Sequence, residues 1–198
     1  EKQKERLQSE LSFLRSQISP HFIFNILNSI VYLIRTKSDA AEPVTLKLSE
    51  LIRYMLYESE TDRISLSKEV SYLSNYIELQ KIRFESDVKI EFNINGDIPN
   101  HVIEPMLMIP FVENAFKHGI GLVHDPAIYV TLDCDAHAIK YTVKNKIGIS
   151  SDEAKDESSG IGLKNVKRRL ELLYPDMHVL TITEEAEWFQ IILQLALK

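Results

Sequence analysis

The sequence predicts an α+β fold in which a helical region of about 85 residues precedes a domain built on a mostly antiparallel sheet. In the first part, apolar residues recur three and four residues apart, which is the spacing of one helical face. After Glu85 the period changes to two, because Val88, Ile90 and Phe92 alternate with polar neighbours. We therefore predict a helical region over residues 1–85 and a second domain over residues 86–198.

The helical region is predicted to hold an amphipathic seam followed by three helices. Pro20 interrupts the helical pattern, and a strongly apolar segment covers residues 21–34. Two further helices are predicted over residues 42–57 and 67–83, the last with Ser67 as its N-cap. The seam has the a/d spacing of a coiled coil and consists of Leu7, Leu11, Leu14 and Ile18.

Alternation in the second domain predicts four strands, at residues 88–94, 128–134, 139–143 and 189–197. The short connection at residues 135–137 makes the middle two a hairpin. Helices are predicted at residues 105–118 and 163–173, forming one layer over the sheet. The polar segment 145–160 is predicted to be either a mobile lid or a plain surface loop.

Composition excludes several classes of function. The chain has 198 residues and a net charge of -6, so no basic surplus points to nucleic acid or an anionic membrane surface as a partner. The single cysteine, Cys134, excludes an internal disulfide framework and a multi-cysteine metal site.

No apolar run approaches the ~18 residues that a membrane span needs. The chain opens on a charged stretch, residues 1–6, without an initiator Met. We therefore expect a fragment of a longer chain, whose upstream part could hold membrane helices.

A narrow polar stripe runs along one helical face of the apolar segment 21–34. His21 and Asn25 lie one turn apart, and Asn28 and Tyr32 continue the same helical face. Polar side chains inside a helix need a polar partner. The stripe indicates either a core histidine bonded to a buried asparagine, or a nucleophilic His21 with Asn25 helping to hold the incoming group.

A second cluster lies near one edge of the predicted helix 105–118, just before Gly119. It consists of Glu113, Asn114, Lys117 and His118. A carboxylate, an amide oxygen and a cation are the groups needed around Mg²⁺ and a polyphosphate. The alternative is a solvated helix end with Gly119 as its C′ residue. The apolar residues predicted to pack inward are Leu107, Phe111 and Phe116.

Two glycines, Gly160 and Gly162, precede the predicted helix 163–173. Paired glycines at a helix N-terminus let backbone N–H groups approach phosphate oxygens, although no Walker A sequence follows. Arg168 and Arg169 are predicted either to reach phosphate or to face solvent. Asn145 points inward at a strand end and needs a polar partner, either an adenine edge or a structural hydrogen bond.

In this order, the motifs resemble the internal histidine kinases of the LytS/YesM type, a family of bacterial sensor kinases. The family's phosphoacceptor pattern, Gln-x-x-Pro-His-Phe-x-Phe-Asn-x-Leu-Asn-x-Ile, matches residues 17–30. Residues 113–119 match its asparagine box and residues 160–170 its glycine box. Shorter matches cover residues 51–54, 69–80 and 83–84, so the resemblance spans nearly the whole chain after residue 10.

The resemblance implies a Bergerat-type ATP-binding domain, an α/β sandwich with a mixed, mostly antiparallel sheet, joined to a helical dimerisation and phosphoacceptor region. It implies ATP and Mg²⁺ as ligands, with Asn114 holding the metal. His21 then attacks the γ-phosphorus, and the phosphohistidine donates its phosphoryl group to an aspartate of a response-regulator receiver domain. The resemblance assigns the other nucleotide contacts to Lys117, His118, Asn145, Gly160, Gly162, Leu163 and Asn165.

The family resemblance also implies a two-component signalling protein that forms a homodimer at the cytoplasmic face of the bacterial inner membrane, anchored through a missing N-terminal region. Two positions depart from related enzymes. Phe22 stands where many histidine kinases carry a proton-accepting acid, which makes Glu113 the candidate base. Asn145 replaces the adenine-binding Asp of related ATPases and lacks its charge.

Three functions therefore compete. The first is the histidine kinase; the second is an ATP-hydrolysing conformational switch of the gyrase/Hsp90 class, with Glu113 activating water. The third is a dimeric signalling scaffold without turnover. The face shared by His21 and Asn25 favours the kinase, because a hydrolase does not require it. The asparagine and glycine boxes argue against the scaffold.

Overall fold

A computed structural model of the chain describes residues 20–57, 63–84, 87–98, 100–148 and 161–197. The predicted coiled-coil seam, Gly160 and most of the predicted lid lie outside these residues. None of the helices in the described ranges is long and apolar enough to cross a membrane.

Three helices form the first part of the described chain, as predicted. They are α1 (Pro20–Arg35), α2 (Ala41–Tyr57) and α3 (Leu66–Phe84). Pro20 is the first residue of α1, where its missing N–H removes no intrahelical hydrogen bond. Each helix buries one face, and α2 packs against both α1 and α3. The face that α1 buries consists of Phe22, Ile26 and Ile30.

Two short strands, β1 (Ile64–Ser65) and β3 (Val102–Ile103), pair antiparallel and tie the start of α3 to the second domain. Neither was predicted, because two residues are too few to show a period. Between them along the chain lies β2 (Lys89–Asn95), the first strand of the large sheet.

The large sheet has five strands in the order β2-β4-β5-β7-β6. The others are β4 (Ala127–Cys134), β5 (Ala138–Lys146), β6 (His178–Glu185) and β7 (Trp188–Ala196). β2 runs parallel to β4, and the remaining pairs are antiparallel. The predicted mixed, mostly antiparallel sheet and the β4–β5 hairpin are confirmed. β6 was not predicted, because this edge strand leaves Val179 and Ile182 exposed and so lacks a clear apolar alternation.

Helices α4 (Ile109–His118) and α5 (Ile161–Leu173) pack together, and α4 lies on the sheet. The predicted start of α4 at residue 105 is wrong. Residues 105–108 form an irregular segment in which Met106 has a φ of 57°. The N–H groups of Met106 and Met108 bind the carboxylate of Glu69 on α3. The predicted inward packing of Leu107, Phe111 and Phe116 is confirmed.

One contiguous hydrophobic core includes buried side chains of α1, α2 and α3 together with those of α4, α5 and the sheet. The predicted domain boundary at residue 85 falls directly after the last residue of α3. That boundary stays a prediction.

Candidate functional site

A cleft of about 810 Å³ lies between the helical region and the helix that carries the asparagine box. One wall comes from α1 and α3, and the other from α4, the loop after it and the start of α5. Its lining residues are His21, Phe22, Tyr76, Gln80, Arg83, Phe84, Pro110, Glu113, Asn114, Phe116, Lys117, His118, Ile120, Gly121 and Gly162.

His21 lies in the first turn of α1 with an exposed imidazole. The next residue, Phe22, is buried and packs its ring 4.5 Å from that of Tyr76 on α3. Because Phe22 and Ile26 occupy the core, the helix turns His21 towards the cleft. The core-histidine interpretation is therefore wrong.

Asn25 lies one turn after His21 and contacts its ring. The amide Nδ2 donates to Nδ1 of His21 at 3.0 Å. The two ends of an amide have nearly the same shape, so the same contact also forms with Oδ1 accepting from an Nδ1–H. In that arrangement Nε2 of His21 carries no proton and has a free lone pair.

Helix α4 buries one face, including Phe111, Val112, Ala115 and Phe116, and turns its polar side chains to the cleft. The helix ends at Gly119, whose N–H donates to the carbonyl of Ala115 at 2.7 Å. Gly119 has a φ of -93°, so it is required for space and not for a left-handed conformation. The alternative interpretation, a solvated helix end, had Gly119 at C′, whereas Gly119 is the C-cap residue.

Glu113 is half-buried in the cleft wall, and burial raises the pKa of its carboxyl from an ordinary 4.5 to about 7. The pKa values of Tyr72 and Tyr76 on α3 are raised well above the ordinary value, first by burial and then by the charge of Glu113. A carboxylate with a pKa near neutrality is suited to accept a proton.

Three predicted nucleotide residues lie close to the cleft without lining it. Asn145 is buried beneath Gly119, and its Nδ2 donates to the carbonyl of Lys146 at 2.9 Å. Leu163 and Asn165 are half-buried in α5, one and three residues after Gly162. The structure thus brings His21, Glu113, Asn114, Lys117, His118 and Gly162 together.

Arg169 fulfils neither alternative that its sequence position suggested. Its side chain is buried and donates to the carbonyls of Pro105 and Met106, at 2.6 and 2.9 Å. It therefore fixes α5 to the segment that precedes α4. Arg168 is half-exposed and lies 3.8 Å from the carboxylate of Glu171.

Four cleft residues come from α3 and were not predicted as site residues. Tyr76, Gln80 and Arg83 follow each other at spacings of four and three, so they share one helical face. Phe84 adjoins them. The sequence signal was available, because residues 69–80 and 83–84 match the family, but the match alone gave these residues no role.

The donor set of the cleft fits a magnesium ion brought in with a polyphosphate. Asn114 supplies an amide oxygen, and Lys117 supplies a cation on the same helix edge. Within the described part of the chain, no three His, Cys, Asp or Glu residues are grouped so as to hold a metal ion. Mg²⁺ is commonly held by one or two protein oxygens together with substrate phosphates and waters, and such a site needs no larger cluster.

Comparison with known proteins gives consistent results. The family described as Histidine kinase matches residues 9–88. The sensor protein LytS of Bacillus subtilis is 30% identical, over 89% of this chain and 32% of its own length. The sensor histidine kinase BtsS of Escherichia coli is 27% identical, over 94% of this chain and 33% of its own. The chain therefore spans about a third of the length of these curated relatives.

A solved structure shares the fold. The histidine kinase domain of a blue-light activated histidine kinase from Erythrobacter litoralis superimposes with a TM-score of 0.52, at 15% sequence identity. The match covers 96% of this chain and 95% of that domain.

Proposed function

Because the chain belongs to the LytS type of the histidine kinase family, we propose that it transfers the γ-phosphoryl group of ATP to its own His21. One observation carries this proposal. The exposed imidazole of His21 lines the same cleft as Asn114, Lys117 and Gly162, which are the residues suited to a magnesium-bound polyphosphate.

In the proposed step, the Nε2 lone pair of His21 forms a bond to the γ-phosphorus. The bond from that phosphorus to the bridging oxygen breaks, and the oxygen keeps the electron pair as ADP leaves. With its amide turned so that Oδ1 accepts from the Nδ1–H, Asn25 holds the tautomer in which Nε2 is free. Glu113 then takes the Nδ1 proton, for which a pKa of about 7 suits it.

The nucleotide is proposed to bind along α4 and the start of α5. Asn114 holds Mg²⁺, which neutralises phosphate charge when bound, and Lys117 and His118 contact the polyphosphate. Gly162 and Gly160 let the backbone approach the phosphates. The proposed site also includes Asn145, which is buried beneath Gly119, and Leu163 and Asn165, which follow Gly162 in α5.

The homodimer is proposed to form along α1. Four large apolar side chains on this helix are exposed, at spacings of three, four and three residues. This is the seam of a helix that packs against another helix. The side chains are Phe24, Leu27, Val31 and Ile34.

The phosphohistidine is proposed to pass its phosphoryl group to an aspartate of a response-regulator receiver domain, completing a two-component signalling reaction. The exposure of His21 supports this, because a second protein must reach the same imidazole. The longer protein is proposed to be held at the cytoplasmic face of the bacterial inner membrane through its upstream region.

Incubation with γ-labelled ATP and Mg²⁺ separates this function from the ATP-hydrolysing switch. A kinase gives an acid-labile, base-stable label on the protein, whereas a switch releases phosphate steadily and leaves the protein unlabelled. Phosphate release and protein labelling are to be measured in the same reaction. Steady release without label would contradict the kinase.

A further inference from the structure

We propose that Arg83 is a further catalytic residue, whose guanidinium contacts the phosphoryl group as it passes from ATP to His21. The inference rests on the proposed function and assigns to α3 a part in the chemistry. Arg83 lies in the last turn of α3 and lines the cleft together with His21 on one side and Lys117 on the other.

Aromatic packing fixes Arg83 relative to the nucleotide side of the cleft. Its guanidinium carbon lies 4.6 Å from the centre of the Phe84 ring. The Phe84 ring is nearly parallel to that of Phe116 on α4, at 6° and 6.0 Å between centres. Phe116 directly precedes Lys117, so Arg83 and Lys117 are held at defined positions on opposite walls.

The charge of Arg83 has no carboxylate partner within 4.0 Å among the residues that the structure describes. Four other cations there have one, in the pairs Lys47–Glu78, Lys89–Glu91, Arg168–Glu171 and Arg169–Glu104. The contact with the Phe84 ring face uses none of the five N–H donors of the guanidinium. Burial lowers the pKa of Arg83, but arginine keeps its charge in proteins.

The charges that line the cleft determine which class of ligand it binds. Arg83 and Lys117 bring two positive charges, whereas the one acid among the described lining residues, Glu113, has a pKa of about 7. A polyphosphate offers the negative charge and the paired oxygens that a guanidinium binds best.

The position of Arg83 on the same wall of the cleft as the acceptor, His21, predicts when the contact forms. During transfer the phosphoryl group carries negative charge on three equatorial oxygens and lies between the nucleotide and His21. A cation that belongs to the acceptor side meets these oxygens in the transition state and contributes little to the binding of ATP. Its removal therefore lowers the rate of phosphorylation at saturating ATP.

The test compares R83A with K81A, a matched loss of an exposed cation in the same helical turn that does not line the cleft. Labelling of His21 is measured at saturating ATP, and the ATP dissociation constant by calorimetry. R83A should label about 10³-fold more slowly, with an ATP affinity within about threefold of the wild type. K81A should match the wild type in both.

Two further measurements separate a chemical role from a structural one. Millimolar guanidinium ion should restore part of the rate of R83A, and R83K should retain more activity than R83Q. Wild-type labelling by R83A, or a loss of ATP affinity as large as the loss of rate, overturns the inference. If R83A fails to fold, R83K and R83Q decide, and equal rates for the two overturn it. A wild type without label, or a label that survives in H21Q, overturns the proposed function as well.

Discussion

The backbone N–H of Met108 donates a 3.0 Å hydrogen bond to the carboxylate of Glu69, a residue that α3 buries completely. The second oxygen of Glu69 accepts from the N–H of Met106 at 2.9 Å and from the hydroxyl of Tyr54 at 2.5 Å. The segment before α4 is thus held by α3. Because α4 carries the nucleotide wall of the cleft, the helical region sets the position of that wall.

We expect E69A to lower the free energy of unfolding by about 3 to 5 kcal/mol, because it leaves two buried N–H groups and a hydroxyl without their acceptor. Urea unfolding measures the effect. The control is E78A, which removes a partly exposed ion pair with Lys47 and should cost less than about 1 kcal/mol. An equal loss of unfolding free energy in E69A and E78A would contradict the role given to Glu69.

Two glycines of the site are expected to respond differently to substitution by alanine. A Cβ on Gly119 would lie 2.6 Å from the Ala115 carbonyl oxygen and 2.8 Å from Cβ of Asn145, whereas a Cβ on Gly162 meets nothing within 4 Å. G119A should therefore destabilise the fold by about 1 to 3 kcal/mol.

G162A should leave stability unchanged or raise it slightly, because alanine favours a helix. It should nevertheless weaken ATP binding, because the added methyl group keeps phosphate away from the backbone. Thermal unfolding without nucleotide and calorimetric titration with ATP separate the two effects. Unchanged ATP affinity in G162A would argue against phosphate at the start of α5.

Glu113 should make stability depend on pH. Its pKa is raised from 4.5 to about 7, so between these values the folded protein binds more protons than the unfolded chain. This contribution to stability is therefore lost as the pH rises from about 4.5 to about 7. E113Q removes the effect and should be more stable than the wild type at pH 8, but not at pH 5.

The same variant tests the proposed base. E113Q should label His21 about 10²-fold more slowly at pH 8, because glutamine accepts no proton. Urea unfolding at pH 5 and pH 8 and labelling at pH 8 provide the measurements. A variant that labels at the wild-type rate would remove Glu113 from the proton transfer.

Asn25 should act through the imidazole that it contacts at 3.0 Å. N25A is expected to slow labelling by about 10²-fold, because the ring loses the group that orients it. N25D should retain more activity, since a carboxylate accepts from Nδ1–H and keeps Nε2 free. The matched control is N28A, an exposed asparagine on the same helix, which should label normally. A normal rate for N25A would contradict the positioning role.

Val31, in the exposed apolar seam of α1, should contribute to the homodimer. V31D places a charge in this seam and should raise the dimer dissociation constant at least about tenfold, corresponding to about 1.4 kcal/mol. Sedimentation equilibrium measures it. L122S changes a fully exposed apolar side chain in the loop after α4 and should leave association unchanged. Equal dimer dissociation constants for V31D and L122S would show that the interface does not include this seam.

The fold was predictable wherever local periodicity reflects burial. The three helices of the first region and the hairpin of β4 and β5 have one clear apolar face, and their periods reveal them. The segment 105–108 was assigned to a helix because its apolar residues fit a helical face. Its actual conformation depends on a hydrogen-bond acceptor, Glu69, that lies more than 35 residues earlier in the chain.

The candidate site was predictable in part for a similar reason. His21, Asn114 and Gly162 belong to contiguous motifs, whereas Gln80 and Arg83 enter the cleft only because α3 packs beside α4. Arg169 shows the opposite case. It follows the glycine motif and so looked available for phosphate, but its guanidinium donates hydrogen bonds to the carbonyls of Pro105 and Met106.

The most direct test of His21 as the phosphoryl acceptor is labelling with γ-labelled ATP and Mg²⁺, performed side by side on the wild type and H21Q, with nucleotide binding measured for both. If His21 is the phosphoryl acceptor, the wild type carries an acid-labile, base-stable label and H21Q carries none, at equal ATP affinity. A label that persists in H21Q would contradict the assignment of His21 as the phosphoryl acceptor.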